Sequence, residues 1–124
     1  MAYLEHANVT VRNPDQTAQR MINLFDWHIR WSGASMNKGH TIHVGTQECY
    51  IALYSHIDRA EPVGNSINIG NLNHLAVVVK DLDTTSDRAK SLGLEPFNFG
   101  NYEPGKRFYV MMDEELEIEI ISYN

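Results

Sequence analysis

The chain has 124 residues, 43% hydrophobic and 21% charged, the make-up of an ordinary globular protein and not of a disordered or collagen-like one. Ten basic against sixteen acidic residues give a formal net charge of -6. Such a surface repels phosphate backbones and anionic lipid, so neither nucleic acid nor a membrane is an expected partner.

The first residues show no basic segment followed by an apolar run, so no signal peptide is expected. Asn8 and Thr10 alternate with Val9 and Val11, the pattern of a half-buried strand. Asn13, Pro14 and Asp15 then give an N-cap, a first-turn proline and a first-turn acid. Ala18, Met21, Ile22 and Phe25 follow at helical spacing and are expected to face inward. Strands are predicted at 27–31, 40–44 and 48–54. Pro62, Gly64, Asn65 and Gly70 mark a linker over 58–70. A fifth strand runs through His74, Ala76 and Val78. Asp81 is the expected N-cap of a second helix, which runs toward Leu92 and ends at Gly93. Strands at 96–100, 107–112 and 116–122 complete the chain. No stretch approaches the roughly 18 apolar residues of a membrane span.

The two halves match. Leu4-Glu5-His6-Ala7-Asn8-Val9 resembles Leu72-Asn73-His74-Leu75-Ala76-Val77 at an offset of 68, and Ile51-Ala52-Leu53 resembles Ile118-Glu119-Ile120 at an offset of 67. An internal duplication follows, each copy reading βαβββ: module 1 over 2–57, the linker, and module 2 over 71–124. The fold class is α+β. Residues two apart in a strand share a face. His6, Asn8 and Thr10 therefore lie together, as do Tyr50, Ala52 and Tyr54, His74 and Ala76, and Glu117 and Glu119. The opposite faces are apolar and belong under the helices.

Paired βαβββ modules, a strand-borne histidine opening each, and Ile118-Glu119-Ile120 near the end together resemble the vicinal oxygen chelate superfamily. That family includes glyoxalase I, extradiol dioxygenases, and fosfomycin- and bleomycin-resistance proteins. The resemblance implies cupped mixed sheets around a cavity, with a divalent metal held from four equivalent strand positions. Those positions are His6, Ala52, His74 and Glu119. Glyoxalase I carries a glutamate at the position of Ala52, and alanine can neither ligate nor move a proton. Two histidines and a carboxylate remain, a set that suits Fe or Mn with open positions, with Zn, Ni and Co also possible ions. The turn Asp113-Glu114-Glu115-Leu116 replaces the family's Asp-Pro-Asp-Gly and is one residue shorter. Glu117, of the same parity, is thus the alternative ligand. Close relatives are dimers whose sites are shared between subunits. The resemblance therefore implies a homodimer, with His6 of one subunit facing His74 and Glu119 of the other.

Around this centre, Arg107 and Tyr109 are candidate catalytic residues able to bind or polarise a substrate oxygen. Asn8, Thr10, Tyr50, Ala52 and Tyr54 are candidate pocket residues, the tyrosines being equally compatible with core packing. Trp27 and Trp31 share a parity and are expected to pack or line the pocket mouth. His40 and His43 fall on opposite strand faces, which argues against a zinc site with Cys49. His28 and His56 read as surface residues. Cys49, the lone cysteine, reads as a small buried hydrophobe in a reducing, cytoplasmic compartment.

Three functions remain open. The first is a metal-dependent enzyme acting on a small substrate with two vicinal oxygens, by ring cleavage, isomerisation or addition. The second is a metal-free small-molecule binding protein of the bleomycin-resistance type, to which Ala52 points. The third is an interaction module.

Overall fold

The computed structural model describes residues 1–58, 68–113 and 116–124. The predicted linker lies largely outside them, as does the centre of the acidic turn at 113–117. The chain divides into two compact units, Met1–Ala60 and Glu61–Asn124. The first holds β1 (His6–Thr10), α1 (Pro14–Phe25), β2 (His28–Ala34), β3 (His40–Gly45) and β4 (Tyr50–Ser55). The second holds β5 (Leu75–Val78), α2 (Leu82–Ser91), β6 (Phe97–Tyr102), β7 (Gly105–Asp113) and β8 (Leu116–Ser122). The strand orders are β1-β4-β3-β2 and β5-β8-β7-β6. In each sheet the first strand runs parallel to its neighbour and the other pairs are antiparallel. These are two βαβββ units with mixed sheets. No helix among the described residues is long and apolar enough to cross a membrane.

Both helices start where the sequence predicts. The Asn13 side chain accepts from the Gln16 N–H, and Asp81 accepts from Thr84. Each cap satisfies one of the amides that a first turn leaves unpaired. Leu92 caps the end of α2, and Gly93 follows at a φ of 81°, where a side chain would be strained.

The buried stripe of α1 differs from the expected one. Pro14, Thr17, Ala18, Met21 and Leu24 are buried, while Ile22 and Phe25 are half-buried. The stripe is rotated because α1 packs on β3 and β4, whose inward residues Ile42, Val44 and Leu53 are all buried. In the second unit, Phe108, Val110, Ile118 and Ile120 are buried on β7 and β8, the strands that α2 covers. Several strands run past their predicted ends, β2 to Ala34 and β7 from Gly105 to Asp113. Pairing with a neighbour, rather than local propensity, sets those ends.

Two local readings need correcting. Cys49 is exposed, not buried. It lies in the turn before β4, where its carbonyl accepts from the Thr46 N–H at 2.9 Å, and the turn leaves its side chain to solvent. Trp27 and Trp31 part company. The β2–β3 register steps from Ile29 opposite Val44 to Trp31 opposite His43, a β-bulge at Arg30. The extra residue inverts the alternation. Trp27 packs on Phe25 of α1, and Trp31 on His43 of the other face.

Leu24 is 1% exposed. Leu24→Ala should lower unfolding stability by about 2–5 kcal/mol, read from the urea midpoint. A loss below about 0.5 kcal/mol, the range of an ordinary surface change, would show that this face of α1 is not core.

Candidate functional site

The registers of the two sheets correspond. In the first, Asn8, Ala52, His43 and Trp31 lie side by side across β1, β4, β3 and β2. In the second, Ala76, Glu119, Tyr109 and Phe97 occupy the corresponding row. Both rows lie on the face away from the helices.

In the second unit the carboxylate of Glu119 is buried, with 9% of its side chain exposed. Its two oxygens have different partners. Arg107 Nη1 donates to Oε2 at 2.7 Å, and the Tyr109 hydroxyl donates to the same oxygen at 3.4 Å. His74 Nε2 lies 3.3 Å from Oε1. Glu119, not Glu117, is the carboxylate that His74 reaches. Arg107 is fixed in turn: Nη2 donates to the carbonyls of Tyr102 and Gly105, and the guanidinium stacks on the Tyr102 ring at 4.5 Å. The Tyr109 ring meets His74 edge-on, and burial, followed by the charge of Glu119, raises its hydroxyl pKa.

In the first unit, the candidate residues His6, Asn8, Thr10, Tyr50, Ala52 and Tyr54 share one face. Tyr50 is the centre. Its ring stacks on His6 at 4.8 Å and on His43 at 4.5 Å, and the Arg30 guanidinium lies 4.4 Å from its centroid. Gly45 stands directly opposite Tyr50, and any side chain there would strike the Cys49 carbonyl and the Tyr50 backbone. Ala52 is buried under this face at 2% exposure. The Tyr54 hydroxyl donates to the Met36 carbonyl at 2.8 Å, so it is committed to holding that loop.

Two residues not singled out from sequence orient the histidines. Glu5 Oε1 accepts from His6 Nδ1 at 2.9 Å and from the Tyr50 hydroxyl at 3.2 Å. Asn73 Oδ1 accepts from His74 Nδ1 at 2.7 Å. The hydrogen bond from His6, the largest lowering influence, holds the Glu5 carboxyl below its usual range. Burial, then the Glu5 charge, raises the Tyr50 hydroxyl. Glu5 and Asn73 each immediately precede their histidine, so the repeat itself holds the signal. His43 and Arg30 carry no such signal, because their place depends on strand register and on the bulge.

No family model matches the chain, and no curated protein matches it. Solved structures do. A glyoxylase/bleomycin resistance protein/dioxygenase domain from Frankia sp. EAN1pec superimposes with a TM-score of 0.83 at 18% identity, covering 98% of this chain and 92% of that one. The fosfomycin resistance protein FosX from Mesorhizobium loti gives 0.72 at 18%, covering 98% and 91%. A FosX mutant from Listeria monocytogenes, complexed with Mn(II) and 1S,2S-dihydroxypropylphosphonic acid, gives 0.75 at 17%, covering 98% and 92%. This chain has the vicinal oxygen chelate fold.

The Listeria protein holds Mn(II), and the second unit of this chain can be tested for its fit to a cation. With Nδ1 donating to Asn73, a neutral His74 carries its lone pair on Nε2. That lone pair faces Glu119 Oε1, so two acceptors look at each other. A proton or a cation between them satisfies both. Two ligand atoms each about 2.1 Å from one ion, at a bond angle of about 100°, stand about 3.2 Å apart. The observed 3.3 Å fits that span. Among the described residues, no third His, Cys, Asp or Glu joins the pair.

The contacts of Glu119 and His43 can each be tested. Arg107→Leu leaves a buried carboxylate without its strongest partner and should cost about 3–5 kcal/mol in urea unfolding. Arg107→Leu combined with Glu119→Leu should recover most of that loss, and simple additivity of the two would show that the pair is not coupled. His43 is held below the ordinary value of 6.5 by burial, then by His6 and Arg30. Its folded form therefore resists protonation, and stability should fall as the pH drops from above 6.5 through the folded value. His43→Gln should flatten that part of the profile, and an unchanged slope would contradict the assignment.

Proposed function

We propose that this protein is a metal-dependent enzyme acting on a small molecule with two vicinal oxygens, with His6, His74 and Glu119 as ligands of a divalent cation. The observation that carries the reading is the His74 Nε2–Glu119 Oε1 pair, two acceptors at 3.3 Å with both residues fixed from behind. The chemistry of the donor set suits Fe or Mn, with Zn, Ni and Co also compatible. Such an ion, when bound, supplies a Lewis acid for the two oxygens.

The residues of the chain divide the remaining work. Glu5 and Asn73 fix the histidine rings with Nε2 free. Arg107 occupies Glu119 Oε2 and so leaves Oε1 to ligate. The Tyr109 hydroxyl, whose contact with Glu119 Oε2 is long at 3.4 Å, can turn to donate a hydrogen bond to a substrate oxygen. Ala52 offers no carboxylate, which turns the reading away from glyoxalase I proton transfer and toward ring cleavage, isomerisation or addition.

The protein acts as a cytoplasmic homodimer in this reading, with His6 supplied by one subunit and His74 and Glu119 by the other. β1 and β5 are terminal strands of their sheets, and such edges can pair with a further chain.

Protein purified without chelator should retain a divalent ion, measured by elemental analysis. His6→Ala, His74→Ala or Glu119→Ala should each weaken its binding by a factor of about 10–100 or more. Heterodimers of His6→Ala and Glu119→Ala subunits, isolated through two different affinity tags, should regain about half the metal of the wild type, because one of two shared sites is then intact. No bound metal after reconstitution would overturn the proposal. Heterodimers as poor as the single variants would overturn the shared site.

A further inference from the structure

We infer that Arg30 and His43, over the ring of Tyr50, form a binding site for an anionic oxygen group of the substrate, a carboxylate or a phosphonate. The bulge in β2 is the first observation. It sets two consecutive side chains, Arg30 and Trp31, on the face that carries His6, Tyr50 and His43, where plain alternation would set one. Bulges of this kind re-aim side chains and are frequent beside active sites.

The second observation is what Arg30 lacks. Its guanidinium carbon lies 4.4 Å from the centroid of the Tyr50 ring, yet it makes no ion pair or hydrogen bond with the described residues. This is so in a chain with sixteen acidic residues against ten basic ones. The contact with the ring holds the guanidinium in place and leaves its N–H groups to a ligand. The ring nitrogens of His43 are also without a hydrogen-bond partner among the described residues. That ring stacks on Tyr50 and meets Trp31 at a tilt. Glu5, whose charge Arg30 feels, is engaged with His6 and Tyr50. A planar fork of donors beside an N–H-bearing ring fits a ligand rich in acceptors and negatively charged. Asn8 and Thr10 extend the same polar face.

The substrate class is then a small acid that also carries two vicinal oxygens. That class rests on the metal-centre reading, whereas the anion site itself needs no metal. The test uses full-length protein freed of metal with EDTA. Acetate and methylphosphonate are titrated separately while the Trp31 and Trp27 indole N–H and the Arg30 Nε–H signals are followed by NMR. One or both probes should shift Trp31 and Arg30 but not Trp27, and the stronger probe tells carboxylate from phosphonate. Arg30→Leu should weaken binding by at least about tenfold, and Arg30→Lys, which keeps the charge but not the fork, by about threefold. Equal binding by Arg30→Leu overturns the site. Binding that needs added Zn(II) and ignores Arg30→Leu also overturns it, and leaves the metal reading standing. Binding by apo-protein that Arg30→Leu abolishes, in a protein that takes up no metal, supports the site and overturns the metal reading alone.

Discussion

Arg107 and Glu119 form a buried ion pair, 2.7 Å from Nη1 to Oε2, with about a tenth of each side chain exposed. Burying a carboxylate costs several kcal/mol unless its oxygens find partners. Here the geometry of a β-hairpin supplies them. Tyr109 stands directly opposite Glu119 across β7 and β8, and Arg107 stands two residues further along, opposite Ile121. Both therefore share the face of Glu119 and converge on one of its oxygens. The other oxygen is left to His74, which the parallel pairing of β5 with β8 brings alongside. The backbone carbonyls of Tyr102 and Gly105 then lock the arginine. The direction in which the carboxylate points is thus fixed by strand register, and the proposed chemistry depends on that direction.

The duplicated scaffold shows how one register can serve two purposes. Where the second unit has Glu119 and Tyr109, the first has Ala52 and His43. The second row holds a carboxylate and a hydroxyl clamped by an arginine. The first holds a stack of rings with an arginine over it. The histidine two residues before the first member of each row keeps the same support, a side-chain acceptor from the preceding residue bound to Nδ1. In the proposed division of labour, the second row ligates and donates a hydrogen bond while the first row recognises the anionic part of a substrate.

Much of this is legible in the sequence. The caps at Asn13 and Asp81, the period-two strands and the offset repeat are local or nearly local signals, and each appears in the structure. The positions of His6, His74 and Glu119 on the faces away from the helices follow from strand parity alone. What is not legible depends on contacts between distant residues. The Arg107–Glu119 bond needs the β7–β8 register. The role of His43 needs the β3–β4 register, which sets it beside Ala52 and within stacking distance of Tyr50. The separation of Trp27 from Trp31 needs a bulge that no propensity announces. Leu24 escapes the helical pattern because the packing of α1 on β3 and β4 rotates its buried stripe. Cys49 is exposed against expectation because a turn, rather than a strand, carries it.

The proposed chemistry turns on Glu119 presenting Oε1 to a divalent ion while Arg107 holds Oε2. A crystal grown with Mn(II), with data collected for anomalous scattering, tests this directly. One strong anomalous peak is expected about 2.2 Å from both His74 Nε2 and Glu119 Oε1. The Arg107–Glu119 Oε2 bond should still be in place. A peak bound elsewhere, or none at this pair in protein that is shown to be saturated with Mn(II), would contradict it.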